Sequence, residues 1–345
     1  MKILGIESSC DECSASVVED GKNILSNIIA TQIPFHAVYN GVVPEIASRK
    51  HTEWIYEVTA QALEQAGLTS DDIDGVAATS QPGLMGSLLV GLTFAKAFAY
   101  ARHKPFIACD HMLSHLYAAR LTEAPPPPYP FLGLLVSGGH TIICKVDDFD
   151  AITVLGSSID DAVGEAFDKV SKHFGWGYPG GKYIDALAQD GCSDTFDFPL
   201  ARLHTVKHPY DVSYSGLKTA VANQIEQFRK KGAAGELHPP DIAASFQKAA
   251  VGILLCALFK AVEDTGISTV VSGGGVAANS YLRAKLSERD DIRCIFPPPE
   301  LCGDNGAMVA GLGYAYLSRG ISSPLNITAS ARVKAFKRRP KAGDG

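Results

Sequence analysis

His111 and His115 are four residues apart, a spacing that on a helix projects two imidazoles from one face, where they can share a metal ion. Two histidines on a partly buried helix are often only packed, so the pair needs a third donor before it defines a site. The protease pattern H-E-x-x-H is not met, because Met112 stands where the general-base glutamate belongs. Asp304, in Cys302-Gly303-Asp304-Asn305-Gly306 ahead of an apolar helical stretch, is the chosen third donor, although local sequence alone favours a helix cap. Two histidines and one carboxylate with open positions suit iron(II) or zinc, and geometry does not separate these metals.

Three glycine- or serine-rich turns, Glu7-Ser8-Ser9, Ser137-Gly138-Gly139 and Gly273-Gly274-Gly275, each follow a strand-like apolar run. Such turns let backbone N–H groups face an anion with no Cβ in the way. One alone would be an ordinary turn. Three, two of them on an internal repeat, predict a nucleotide cleft between two lobes. Cys10 and Cys13 form one C-x-x-C without the second pair a zinc site needs; it reads as coincidence, with redox sensing a distant second.

The elements that must carry these residues are legible as two α/β lobes. Ile3-Leu4-Gly5-Ile6 runs into the first polar turn, and Ala15-Ser16-Val17-Val18 returns as a second strand. Phe131-Leu132-Gly133-Leu134-Leu135-Val136, the 137–139 turn and Thr141-Ile142-Ile143-Cys144 repeat the pattern. Helical periodicity covers 53–66, 86–100, 161–172, 241–263 and 305–317, with further strands over 75–79 and 268–271. The prolines at 125–128 and 130 predict an extended connector. The expected division is therefore 1–124 and 125–310 for the lobes, 311–330 for a closing helix and return segment, and 331–345 for a basic, mobile tail.

Bulk properties narrow the class. At 345 residues the chain exceeds what one core comfortably holds, and 46% hydrophobic against 20% charged residues supports a packed interior. A net charge of -6 excludes an autonomous nucleic-acid binder of the basic type, so any RNA contact is local or shared. The one basic cluster is Arg332, Lys334, Lys337, Arg338, Arg339 and Lys341, which reads equally as a solvated tail or a phosphate contact. Eight scattered cysteines and no signal-peptide pattern predict a reducing, cytoplasmic setting. No apolar run is expected to reach the ~20 residues of a membrane span.

Longer motifs give the chain a family resemblance: Gly5-Ile6-Glu7-Ser8-Ser9-Cys10-Asp11-Glu12, Gly41-Val42-Val43-Pro44-Glu45-Ile46-Ala47-Ser48-Arg49, Pro82-Gly83-Leu84-Met85-Gly86-Ser87-Leu88, Gly164-Glu165-Ala166-Phe167-Asp168-Lys169, Tyr178-Pro179-Gly180-Gly181 and Ser215-Gly216-Leu217-Lys218-Thr219-Ala220, with 135–141, 241–247 and 274–279. Together, over residues 3–313, they resemble the tRNA N6-adenosine threonylcarbamoyltransferases, once labelled O-sialoglycoprotein endopeptidases.

The resemblance implies a two-lobed actin/Hsp70/sugar-kinase-like (ASKHA) ATPase fold and transfer of threonylcarbamoyl from threonylcarbamoyl-AMP to N6 of the adenosine just 3′ of the anticodon, in tRNAs reading ANN codons. By the same resemblance His111, His115 and Asp304 are metal ligands, for iron(II) ahead of zinc or magnesium. The substrate and nucleotide set is Leu135, Val136, Ser137, Gly138, Gly139, Asp168, Gly181, Asp185 and Asn279, the 137–139 turn lining the phosphate and acyl end. Glu12 is the candidate for assisting proton removal, a structural carboxylate being the equal alternative. The implied partners are tRNA, a paralogous dimerising subunit (TsaB) and a small P-loop ATPase (TsaE).

Departures from the family pattern fall at Cys13, Gln81, Ser114, Lys182 and Gly303, none of them a proposed ligand. A small-molecule kinase on the same fold and a non-catalytic, chaperone-like ATPase are the rival classes. The latter would need no histidine pair.

Overall fold

Apolar alternation makes β1 (Lys2–Glu7) and β2 (Glu12–Glu19) a buried antiparallel hairpin, in register from Lys2 opposite Glu19 to Glu7 opposite Ser14. β3 (Asn23–Thr31) extends it on one side, while β4 (Gly75–Gln81) and β5 (Phe106–Asp110) join in parallel on the other, giving the order β3-β2-β1-β4-β5. Parallel neighbours need crossover connections, supplied here by helices. α1 (Ile33–Ala37) and α2 (Pro44–Gln65) precede β4, and α3 (Met85–Ala101) links β4 to β5. Leu4, Ile6, Val17, Ile55, Val58 and Leu92 form the core between sheet and helices on one face.

The second sheet repeats this plan. β6 (Phe131–Val136) and β7 (Thr141–Asp148) pair antiparallel up to Val136 opposite Thr141, with β8 (Ala151–Ser157) beyond them. β9 (Thr269–Gly273) and β10 (Arg293–Ile295) add in parallel on the other side of β6, and the two-residue β11 (Lys337–Arg338) lies at the far edge. The order β8-β7-β6-β9-β10 is thus that of β3-β2-β1-β4-β5, so the repeat in the sequence is a repeat of topology.

The computed structural model describes residues 1–122, 126–199, 209–230, 238–332 and 337–338. Packing divides the chain into one unit of Met1–Tyr129, Asp147–Ile152 and Phe296–Lys337, and a second of Pro130–Val146, Thr153–Ile295 and Arg338–Gly345. This grouping differs from the linear division expected, because residues 296–337 return to the first unit. They do so because α4 (His111–Ala118) and α11 (Gly306–Leu317) cover the other face of the first sheet, burying Ile3, Val18, Leu113, Met308 and Leu312 together. Pro125 of the expected connector, and Lys334, Arg339 and Lys341 of the basic cluster, lie outside the described residues.

In the second unit α5 (Val163–Phe174), α6 (Gly180–Ala188), α7 (Ser215–Lys230), α8 (Pro239–Thr265) and α9 (Ser280–Ser287) accompany the sheet, while the short α10 (Pro299–Cys302) belongs to the first unit. α8 corrects the expectation of no long apolar run. It spans 27 residues with a mean hydropathy of 1.8 over its most apolar window, enough by length and composition to cross a bilayer. Because 78% of that window is buried within the protein, the helix is read as core. Prolines at its first positions and Gly266 at φ 69° after its last turn set its ends.

In the first unit the backbones of β1 and α11 lie in close contact. A Cβ on Gly5 would stand 2.3 Å from the Gly306 carbonyl oxygen and 2.5 Å from the Ala310 nitrogen, so only glycine lets the helix backbone lie on the strand. Gly5→Ala should therefore destabilise the protein by about 1–3 kcal/mol through overpacking. Gly216→Ala, where a Cβ would meet nothing within 4 Å, should be near neutral. Urea unfolding of the two variants beside the parent checks the contrast.

Candidate functional site

Asp110 ends β5 and caps α4, its Oδ1 accepting from the Met112 and Leu113 N–H groups at 2.9 and 3.2 Å. The cap starts the helix at His111 and puts His115 one turn on, with ring centroids 4.6 Å apart. Two family departures are absorbed here: the Ser114 hydroxyl donates to the Asp110 carbonyl at 2.9 Å, and Gln81 Nε2 donates to Asp110 Oδ2 at 3.3 Å.

Asp304 arrives from the far end of the chain, between α10 and α11. Asn305, not Asp304, caps α11, its side chain accepting from the Met308 N–H at 3.0 Å. The cap reading of Asp304 is therefore corrected, and its carboxylate faces the histidines. Asp304 Oδ1 lies 3.1 Å from His115 Nε2 and 3.5 Å from His111 Nε2. One donor atom from each of the three residues lies within 4.8 Å of the others. The donors suit a divalent metal: two neutral-capable imidazoles and one carboxylate, with the Nδ1 of His115 buried and unpartnered.

Behind His111 stands a residue that sequence reading did not assign to this site. Glu7, fully buried at the end of β1, brings Oε2 to 3.1 Å from His111 Nδ1 and accepts from Thr79 Oγ1 at 2.6 Å, while its Oε1 accepts from the Ser9 N–H at 2.6 Å. A hydrogen bond to Nδ1 turns the Nε2 lone pair of His111 outward, the usual carboxylate–histidine arrangement behind a metal ligand. Burial pushes the Glu7 carboxyl up, but the His111 charge and the hydrogen bonds from His111 and Thr79 outweigh it and hold it below its ordinary value. Burial likewise pushes the His111 ring down, and the Asp304 and Glu7 charges reverse this, raising it to about 9. A metal held by His111 would have to displace that proton. The available clue was a charged residue closing an otherwise apolar strand.

The Glu7-Ser8-Ser9 turn, expected to cradle an anion, gives the Ser9 N–H to Glu7 and the Ser8 hydroxyl to the Ser87 carbonyl at 2.9 Å. Ser9 Oγ lies 3.2 Å from His111 Nδ1. Cys13 is buried in the core and burial pushes its thiol up to about 12, while burial also raises Cys10, so the C-x-x-C is no poised redox pair. All eight cysteines are free.

Glu12, at the start of β2, accepts from Thr31 Oγ1 at 2.9 Å through Oε1, and its Oε2 is buried without a partner. Burial is the main cause that lifts its carboxyl to about 8, aided by the charges of Asp11 and Asp304 against the Thr31 hydrogen bond. A carboxylate that takes up its proton near neutrality can serve as a base there.

The remaining candidate residues lie in the second unit. The 137–139 turn closes the β6–β7 hairpin, the Ser137 N–H donating to the His140 carbonyl at 2.8 Å. Gly164 of α5 approaches it so closely that a Cβ would stand 2.5 Å from the Ser137 carbonyl oxygen, and one on Gly274, at φ 92°, would stand 2.4 Å from that of Val136. The 137–139 and 273–275 turns thus share one end of this sheet. Leu135 and Val136 are fully buried in β6. Asp168 Oδ1 accepts from the Gly180 N–H at 2.6 Å, beside Gly181. Asp185 accepts from Asn279 Nδ2 at 3.2 Å, from the Ser280 N–H at 3.1 Å and from Ser280 Oγ at 2.7 Å, so Asp185 and Asn279 meet directly.

Two units built on one strand order, the second with glycine turns at two strand ends, define the actin-like ATPase fold class, here with a His-His-Asp set in the first unit. Solved structures agree on the fold: HypF from T. kodakarensis matches with a TM-score of 0.59 at 15% identity, covering 93% of this chain and 48% of that one. Component A of the Acidaminococcus fermentans (R)-2-hydroxyglutaryl-CoA dehydratase matches at 0.54 and 16%, covering 92% and 99%. The family described as "TsaD: tRNA N6-adenosine threonylcarbamoyltransferase" matches residues 23–311. The protein of that name from Treponema denticola is 63% identical over 339 residues, 98% of this chain and 99% of its own, and that of Treponema pallidum strain Nichols is 52% identical over 98% and 95%. The chain belongs to the tRNA N6-adenosine threonylcarbamoyltransferase family.

The raised Glu12 carboxyl has a measurable consequence. Between its ordinary 4.5 and about 8 the folded protein holds a proton that the unfolded chain has released, so this group lowers stability as pH rises through that window. Glu12→Gln should flatten that part of the stability profile, read as the urea midpoint from pH 4.5 to 8.

Proposed function

We propose that the chain transfers threonylcarbamoyl from threonylcarbamoyl-AMP to N6 of the adenosine 3′ to the anticodon in tRNAs reading ANN codons, with His111, His115 and Asp304 holding a divalent metal, iron(II) first. The observation that carries the assignment is the convergence of three donor atoms within 4.8 Å, with Glu7 bonded behind His111.

The exocyclic amine of adenosine is a weak nucleophile, so the acyl carbon must be made more electrophilic and the two reactants held close. When bound, the metal supplies Lewis-acid polarisation at the carbamoyl end, worth several kcal/mol in comparable sites. Glu7 keeps His111 turned with Nε2 outward. As N6 bonds to the carbonyl carbon and the bond to the phosphate oxygen breaks, AMP leaves with its electron pair and the amine must lose a proton. Glu12 Oε2, buried and unpartnered, is the acceptor we assign. In the second unit Leu135, Val136, Ser137, Gly138 and Gly139 line the phosphate and acyl end, and Asp168, Gly181, Asp185 and Asn279 hold the adenosine and its ribose. Carboxylates there can accept from sugar hydroxyls, as in other nucleotide sites. The protein works in the cytoplasm, with a TsaB-type paralogue and a TsaE-type ATPase as partners; eight free cysteines support the reducing setting.

His111→Ala and Asp304→Ala should each empty the site by elemental analysis and slow transfer by roughly a thousandfold or more, from the several kcal/mol at stake. Undiminished transfer by metal-free protein would reject the assignment. Glu7→Gln should keep the fold but weaken metal affinity by roughly ten- to a hundredfold, read by titration of the metal. With a net charge of -6, the isolated chain should bind tRNA weakly and with a steep loss on adding salt, measured by filter binding.

A further inference from the structure

Gln32, His36 and His51 are all fully buried in the first unit, and each keeps one polar atom without a partner: Gln32 Oε1, His36 Nε2 and His51 Nδ1. Buried polar atoms are rarely left so, and a buried water is the common remedy. The other polar atoms of the three side chains are bonded. Gln32 Nε2 donates to the Ala47 carbonyl at 3.4 Å, the Val43 N–H donates to His36 Nδ1 at 3.2 Å, and His51 Nε2 lies 2.9 Å from the Cys10 carbonyl oxygen.

These bonds dictate the tautomers. His36 accepts at Nδ1, so its neutral ring carries the proton on Nε2; His51 faces a carbonyl with Nε2, so Nδ1 is its acceptor. Burial pushes the His51 ring below its ordinary value, which favours the neutral form. One donor and two acceptors therefore remain, the complement of a water molecule that accepts one hydrogen bond and donates two. Hydrogen bonds tie the segments that carry the three residues together. Gln32 caps α1, with its carbonyl accepting the His36 N–H at 3.2 Å, and its amide reaches Ala47, one turn before His51 on α2.

We propose that Gln32, His36 and His51 enclose a buried water and act together as positioning residues for the β1–β2 turn that touches His111. The carbonyls of Ser9, Cys10 and Asp11 are held in succession by the Leu84 N–H at 2.8 Å, by His51 Nε2 and by the Gln32 N–H at 3.0 Å. Two of these three grips come from this group. The Gly41-to-Arg49 motif supplies Val43 and Ala47 to it. Only the consequence for transfer rests on the metal assignment above; the water and the tautomers do not.

The first test needs no variant. A high-resolution crystal structure of the metal-free protein should show a water within hydrogen-bond distance of Gln32 Oε1, His36 Nε2 and His51 Nδ1, and nitrogen-15 NMR should find both rings neutral with the proton on Nε2. Dry atoms, or an Nδ1–H tautomer in either ring, would overturn the proposal. His51→Leu removes the grip on Cys10, whereas His51→Gln can still donate and accept. The leucine variant should lose roughly ten- to a hundredfold in kcat, as displacements of about an ångström do, with metal stoichiometry and KM for threonylcarbamoyl-AMP kept, and the glutamine variant should recover most of the loss. A leucine variant with parental kcat would sink the positioning role. Should the leucine variant fail to fold, the wild-type crystal structure and NMR spectra decide the matter. If the metal assignment fails instead, His111→Ala keeps its activity while the water and tautomers persist.

Discussion

Glu7 is a carboxylate with no exposure to solvent, and the first unit is arranged around satisfying it. An ionised group taken out of water costs several kcal/mol unless donors surround it. Its donors come from three places in the chain: Ser9 on the hairpin turn, Thr79 on β4 and His111 on α4. Each bond that stabilises the charge also fixes an element, so the electrostatic requirement of one side chain sets the register of turn, strand and helix. The histidine it holds is one of the two that face Asp304.

That arrangement works only because α11 can lie directly on β1. Glycines at 5 and 306 remove the side chains that would separate the two backbones, and the N-terminus of the helix then sits over the hairpin, where the Gly306 N–H reaches Ser14 Oγ at 2.8 Å. Asn305 takes the cap, and the residue before it is left facing the histidines. Packing and chemistry are thus the same event: closing the core with a late helix delivers the carboxylate.

The second unit uses the same strand order for different ends. Its hairpin turn reads Ser137-Gly138-Gly139 where the first reads Glu7-Ser8-Ser9, so one copy presents open backbone and the other a bonded acid and hydroxyls. Asp185 and Asn279 join α6 to the start of α9 by direct hydrogen bonds, holding two of the candidate nucleotide residues together without a ligand. A topology repeated in sequence therefore does not repeat its chemistry, which is set by the residues at the turns.

Much of this was legible beforehand. The repeated hairpins, the helices flanking the sheets and the closing helix follow from period-2 and period-3.6 apolar patterns, which are local properties of the chain. The histidine pair was legible as a spacing, and its candidate third donor as a choice between ligand and cap. Tertiary structure removed the cap alternative, because a cap is assigned by which side chain meets the Met308 N–H, and that was Asn305. It also decided the roles of Glu7 and Thr79, which lie 72 residues apart, and the return of residues 296–337 to the first unit. Local periodicity reports which face of an element is buried; only the folded chain reports which distant polar groups must share that burial, since that is settled by hydrogen bonds that no local pattern records.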